Sequence, residues 1–342
     1  MSPSTIPAIP AAHREVRLAS RPQGALEQAH FTVAEVPVPE PGPGQLLVRN
    51  RLMGVAASLR TLMGEHAGLP MPPFEVGRAL SAPAVGEVVT APEGGTLRPG
   101  DLVSHWAGFR EYAVVEADAV QRVDLTVFPD PVAYLSQGPA AWIGVVRGAE
   151  VREGDTVFVS GAAGGLGTLA GQFARQRGAA RVIGSTSSRR KADYLIETLG
   201  YDAVVLRGAE PIEEQLRKAA PDGIDAVVDN VGGEQLRAAL ALARPGARVG
   251  LIGALSAQVA GEITAPVEID TYSLIVRGIQ LRGMSGARNR DALAEYPETF
   301  GRWLREGSVT VPHTRLTGID QAPRALIELL EGHHIGTVVV EL

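Results

Sequence analysis

The chain has 342 residues, 45% hydrophobic and 20% charged, and its 32 basic and 38 acidic side chains give a net charge of −6. At roughly 150 residues per domain this length predicts two domains, each able to bury a core without staples. The absence of cysteine excludes disulfides, thiolate nucleophiles and cysteine-ligated zinc or iron–sulfur clusters, and the scattered, slightly acidic charge excludes a nucleic-acid footprint.

Residues 1–13 contain three prolines and no apolar core of a signal peptide, so they are expected to form a flexible lead-in. No apolar run approaches the ~18–20 residues of a membrane span, which predicts a cytoplasmic protein with no membrane partner. From residue 16 to about 127, short apolar runs (31–36, 45–49, 84–89, 111–115) alternate with turn clusters such as Pro39-Glu-Pro-Gly-Pro-Gly44. That texture predicts a β-rich, barrel-like domain. After residue 129 it changes to strands at 156–160, 181–184, 203–206, 224–229, 247–252 and 279–282. Helical segments such as 166–177 and 190–199 separate most of them, which predicts an α/β domain with a doubly wound parallel sheet. The tail reads as a helix at 292–306, an extended stretch at 309–316, a helix near 320–330 and an apolar strand at 337–341. Such a closing strand needs a sheet to enter, and the N-terminal domain is the natural host. The expected division is residues 1–128 with 300–342 in one domain and 129–299 in the other.

The strongest chemical signal is Val157-Phe-Val-Ser-Gly-Ala-Ala-Gly-Gly-Leu-Gly167. It runs a buried strand through a turn of small residues straight into a helix. Ala162, Gly164 and Gly167 fill the three positions of a G-x-G-x-x-G fingerprint, with alanine in the first. Small residues there let the backbone turn, approach a pyrophosphate and pack helix on sheet, while the helix N-terminus offers unpaired N–H groups. A plain strand-to-helix turn is the competing reading; the order strand, turn, helix, second strand favours a dinucleotide site.

Which dinucleotide follows from the end of the second strand, Gly184-Ser-Thr-Ser-Ser-Arg-Arg-Lys191. No carboxylate stands there to meet a ribose 2′-hydroxyl, and three cations follow instead. Ser187, Lys191 and, from the third strand, Arg207 would welcome a 2′-phosphate, so NADPH is expected rather than NADH. The alternative is a solvated first helical turn, although cations at that end oppose the helix dipole.

On these residues the chain resembles the medium-chain dehydrogenase/reductase superfamily, and within it the zinc-free quinone reductases and NADPH-dependent alkenal/prostaglandin reductases. The likeness runs from about residue 33 to 342. Its further landmarks are Asp229-Asn-Val-Gly-Gly233, Gly250-Leu-Ile-Gly253, Gly100-Asp-Leu-Val103 followed by Phe109-Arg-Glu-Tyr112, and Gly332-His-His-Ile-Gly336. The resemblance implies a GroES-like domain, a Rossmann domain inserted before its last elements, and a cleft between them. It implies cofactor contacts from Ala163, Gly164, Gly165, Leu166, Gly167, Ser187, Lys191, Arg207, Asn230, Gly253, Ala254, Leu255, Met284, Ser285 and His334. No metal is expected, since Arg78-Ala79 stands where zinc members carry His-Glu. An acceptor must then be activated by hydrogen bonds or its own conjugation, which favours an enone, enal or quinone over an alcohol–ketone pair.

The implied reaction is reduction of the C=C bond of an α,β-unsaturated carbonyl compound, with hydride to the β-carbon and a proton to the α-carbon. Ser58 stands where the alkenal group carries the tyrosine of an Asp-Pro-Tyr stretch, and residues 254–259 lack that group's second tyrosine. Ser58 and Tyr272 are the candidate proton donors, with His66 behind them. Tyr272 otherwise reads as a buried anchor, His334 as a surface histidine, and Trp106 and Trp142 as core. A quinone reductase or ring-closing biosynthetic reductase of the same fold, and a noncatalytic NADPH-binding redox sensor, stand as alternatives. A homodimer joined through the sixth parallel strand, near 279–284, is the family expectation.

Overall fold

Alternating buried and exposed side chains set the N-terminal third into strands, as a computed structural model describing residues 8–65 and 71–342 shows. β1 (Ala12–Leu18) and β2 (Phe31–Pro37) pair antiparallel as a two-stranded sheet. The expected lead-in is therefore shorter than residue 13. His13 lies in β1, buried, where its Nδ1 accepts the Tyr112 N–H at 3.4 Å.

A second sheet is organised around β3 (Gln45–Val55), which is longer than the run at 45–49 suggests. The chain turns through α1 (Ser58–Leu62) into β4 (Ala84–Thr90), β5 (Leu102–His105), β6 (Tyr112–Glu116) and β7 (Gln121–Arg122). β3 pairs with β6 through its first half and with β4 along its other edge.

The chain crosses over through α2 (Gly138–Ile143) into β8 (Thr156–Val159), α3 (Gly165–Gln176), β9 (Arg181–Thr186), α4 (Arg189–Glu197) and β10 (Ala203–Leu206). There follow α5 (Ile212–Ala219), β11 (Ile224–Asp229), α6 (Gly233–Ala241), β12 (Ala243–Leu251), α7 (Leu255–Ala260), α8 (Thr271–Arg277) and β13 (Gln280–Gly283). The six strands form one parallel sheet in the order β10-β9-β8-β11-β12-β13, the doubly wound architecture expected. Successive residues of β8 face opposite cores: Val157 and Val159 pack with Phe173 and Trp142, whereas Phe158 packs with Ile183, Leu216 and Leu236.

α9 (Tyr296–Glu306) begins four residues later than expected and spans the division drawn at residue 300. Its Tyr296, Phe300 and Trp303 join the core on the α2–α3 side of the parallel sheet. The chain then returns through β14 (His313–Thr317), α10 (Ala322–Leu330) and β15 (Thr337–Glu341). β15 enters the N-terminal sheet between β14 and the second half of β3, as its apolar sequence required. Val338 and Val340 face one core there and Val339 another. No described helix is long and apolar enough to cross a membrane.

Candidate active site

In an open parallel sheet, ligands bind outside the carboxyl ends of the strands where the strand order reverses. Here the chain winds outward from β8 through β9 to β10, then restarts beside β8 with β11 and winds the other way. The reversal lies between β8 and β11, whose carboxyl ends deliver Ser160 and Asp229 to each other. Ser160 Oγ donates to Asp229 Oδ1 at 2.7 Å and accepts the Asn230 N–H at 2.8 Å. Asp229 in turn accepts the Gly232 N–H at 3.0 Å. Burial pushes the Asp229 carboxyl above its usual range, opposed by the Ser160 hydroxyl and the backbone N–H groups. This buried pair, which sequence reasoning did not single out, fixes both turns that flank the crevice.

The fingerprint turn is built on Gly161, whose φ of 62° only glycine adopts at no cost. The left-handed position thus falls one residue before Ala162, which took the first fingerprint place in the sequence. Gly161 and Ala162 donate to the Ser185 side chain and carbonyl at 2.9 and 2.8 Å, anchoring the turn to β9. Gly167 is required by close packing, because a methyl group there would overlap the backbone of Ala162. Gly164 precedes α3 with no side chain capping the helix, and the space over its Cα is open down to the Gly161 carbonyl. A 12-residue helix therefore presents its first N–H groups uncapped to a bare turn, which fits a pyrophosphate. Ala163, Gly164, Gly165, Leu166 and Gly167 all lie on this turn and first helical turn. Gln137, a residue the sequence did not suggest, lays its side chain against Gly165.

Lys191 lies in the first turn of α4, only 5% exposed, with its Nζ donating to the Gly332 carbonyl. Burial, reinforced by Arg190 and Arg207, lowers its pKa to about 8. No carboxylate among the described residues pairs with it. Ser187 Oγ lies beside Gly332 on the same side as the Lys191 ammonium, and Arg190 donates to the His333 carbonyl at 3.1 Å. A buried ammonium beside two guanidiniums is a costly arrangement unless an anion completes it; it fits a 2′-phosphate and not a bare 2′-hydroxyl. His334 is half-buried with Nε2 3.2 Å from Glu328. Burial lowers its pKa, Glu328 opposes that, and Lys191 adds to it, so His334 borders the same cluster.

The remaining expected cofactor residues lie at the carboxyl ends of β11, β12 and β13. Asn230 covers Gly253 so closely that any side chain at 253 would collide with its amide. Leu255 N–H donates to the Asn230 carbonyl at 3.0 Å, and Met284 N–H to the Leu251 carbonyl at 2.8 Å. Ala254 and Ser285 adjoin these two anchors. From the other domain, α1, which carries half-buried Ser58, packs against α7, with Arg60 against Gly261 just past the end of α7.

Tyr272 is not brought there. α8 packs through Leu274 on the α5–α6 side of the sheet, leaving Tyr272 76% exposed beside Ile275 and Val276. It is neither the buried anchor nor a donor facing Ser58, because that helix turns its apolar contact inward through a different residue. Trp142 is core, donating from Nε1 to the Ala292 carbonyl at 2.7 Å, while Trp106 is exposed. His66 lies outside the described residues.

Known proteins resemble the chain in both sequence and fold. A family profile described as the N-terminal domain of oxidoreductase matches residues 14–123, and one described as zinc-binding dehydrogenase matches residues 165–303. The chain is 31% identical to mouse prostaglandin reductase-3 over 324 residues, covering 90% of this chain and 84% of that protein. It is 29% identical to the NADPH-dependent curcumin reductase of Escherichia coli over 338 residues, 95% of each. Among solved structures, CurA from Vibrio vulnificus in complex with NADPH superimposes with a TM-score of 0.86 at 27% identity, covering 96% of this chain and 98% of that one.

Proposed function

The chain belongs to the medium-chain dehydrogenase/reductase superfamily, and from that membership we propose that it reduces the C=C bond of an α,β-unsaturated carbonyl compound with NADPH. It is an NADP-dependent oxidoreductase. The observation that carries the proposal is Lys191, a buried ammonium seated on Gly332 with Arg190 and Arg207 beside it and no acid paired to it. The relatives named as prostaglandin and curcumin reductases support a conjugated carbonyl as the acceptor.

NADPH, when bound, supplies the hydride. The chain's own residues bind and orient. Residues 163–167 hold the pyrophosphate with backbone N–H groups, and Ser187, Lys191 and Arg207 hold the 2′-phosphate. Asn230, Gly253, Ala254, Leu255, Met284 and Ser285 frame the nicotinamide end, and His334 borders the ribose. Ser58 donates a hydrogen bond to the acceptor's carbonyl oxygen as negative charge gathers there, and the α-carbon takes its proton from Ser58 or from water. The outer edge of β13, unpaired among the described residues, and the exposed face of α8 take a second copy of the chain, giving a homodimer.

NADPH oxidation with three acceptors of matched size tests the reaction. An enone is expected to turn over, its saturated ketone to remain inert, and Ser58→Ala to lower kcat on the enone by about tenfold or more. Turnover of a quinone alone would overturn alkene reduction in favour of quinone reduction.

A further inference from the structure

Both passages of the chain between its domains arrive at one residue of the fingerprint helix, Gly165. On the outward passage, Val132 and Leu135 pack with Val339 in the first domain, and Trp142 packs with Phe173 in the second. Gln137 stands between these anchors. It precedes α2, yet its side chain makes no hydrogen bond to cap that helix. Its carboxamide lies instead over Gly165, so closely that a methyl group there would overlap the amide oxygen. The next residue, Gly138, packs on the Tyr296 hydroxyl with no room for a methyl between them. Packing on both sides thus fixes the turn from which Gln137 reaches the start of α3.

On the return passage, the Gly336 N–H donates to the Ala163 carbonyl at 2.9 Å, and Gly336 forms an isolated parallel bridge with Gly164. The next residue, Thr337, is 1% exposed, and its Oγ1 is buried with no hydrogen-bond partner among the described residues. That oxygen lies 3.2 Å from the point a Cβ on Gly165 would occupy. A buried hydroxyl left unpaired is costly, so an orphan in this place calls for an acceptor. The start of α3 supplies none, because the first turn of a helix presents free N–H donors and not free carbonyls. Three kinds of donor therefore converge on the uncapped end of a 12-residue helix: backbone N–H groups, the Gln137 amide and the Thr337 hydroxyl. A negatively charged group with several oxygens satisfies them together.

We propose that Gln137 and Thr337 are side-chain ligands of the dinucleotide's pyrophosphate, one supplied by each passage between the domains. The assignment rests on the NADPH-binding reading of the crevice and adds two residues to the backbone N–H groups of residues 163–167. Both side chains are neutral donors, so they read the pyrophosphate and are indifferent to the 2′-phosphate held at Lys191. A pyrophosphate bound in this place fastens both passages to one anion.

Binding without turnover tests this, by titration calorimetry with NADPH, NADH and adenosine 2′-monophosphate, which has the 2′-phosphate but lacks the pyrophosphate. Gln137→Glu keeps the side-chain length and sets a carboxylate at the helix start. It is expected to weaken NADPH and NADH by the same factor, about tenfold or more, and to leave adenosine 2′-monophosphate unchanged. Without cofactor the same carboxylate favours the helix dipole, so the melting temperature is expected to equal or exceed that of wild type. Thr337→Val removes the orphan hydroxyl. It is expected to weaken both dinucleotides about threefold to tenfold, with a cofactor-free melting temperature no lower than wild type. Residues that merely held the turn together would lose stability and affinity in step, and that result counts against the proposal. Unchanged NADPH affinity overturns the role of the residue substituted, and an equal loss for adenosine 2′-monophosphate overturns the assignment to the pyrophosphate; either leaves the cofactor reading standing. A wild type that binds neither dinucleotide refutes that reading and the proposal with it.

Discussion

Of the two lysines in the chain, Lys218 is exposed in an ion pair with Glu210, and Lys191 is buried among cations. Lys191→Glu is expected to weaken NADPH by tens of fold, with far less effect on NADH, because only NADPH carries the phosphate the ammonium meets. Equal losses for both cofactors, measured by titration of tryptophan fluorescence, would refute the assignment. The pH dependence has a definite sign. The folded pKa of about 8 lies below the lysine reference value, so the folded chain gives up this proton first. Stability without cofactor therefore rises as pH climbs from about 8 toward 10.5. Affinity for NADPH falls over the same rise as the ammonium is lost. The KM for NADPH is expected to climb above pH 8 while that for NADH stays level. Lys191 was legible in the sequence because its neighbours lacked acids. Tyr272 was misplaced because residue type reveals a hydroxyl but not the direction in which a seven-residue helix turns it.

The unit formed by β8, the fingerprint turn, α3 and β9 is where sequence and structure agree most closely, since buried strands and a small-residue turn leave few alternatives. Gly167→Ala tests it. The added methyl would strike the Ala162 backbone and push α3 away from the turn, costing about 1–3 kcal/mol of stability and lowering NADPH affinity. A melting temperature and affinity both equal to wild type would show that the close approach is dispensable. α1 and α7 were invisible beforehand. Each is a helix of five or six residues, too short to display a 3.6-residue period, and each is held by packing on the other rather than by its own propensity.

At the scale of the molecule, the two-part plan was legible from the shift in texture near residue 129, and the return of β15 to the first sheet from its run of valines. A pairing of two chains is a proposal that rests on the family resemblance. β13 ends the parallel sheet, and α8 beside it exposes Ile275 at 77% and Val276 at 66%. Ile275→Asp is expected to convert a dimer into a monomer in sedimentation at micromolar concentration, since a carboxylate buried between two copies has no partner. A wild-type chain that sediments only as monomer would refute the dimer.

One short segment of the closing loop joins these scales. Within residues 332–336, the Gly332 carbonyl holds Lys191 and the Gly336 N–H donates to the Ala163 carbonyl at 2.9 Å. The next residues form β15, which pairs Val338 with Val55 three residues before Ser58. One stretch of chain thus ties the fingerprint turn and Lys191 to the sheet that carries Ser58. NADPH is therefore expected to bind before the acceptor and NADP to leave last, an order that product-inhibition kinetics checks.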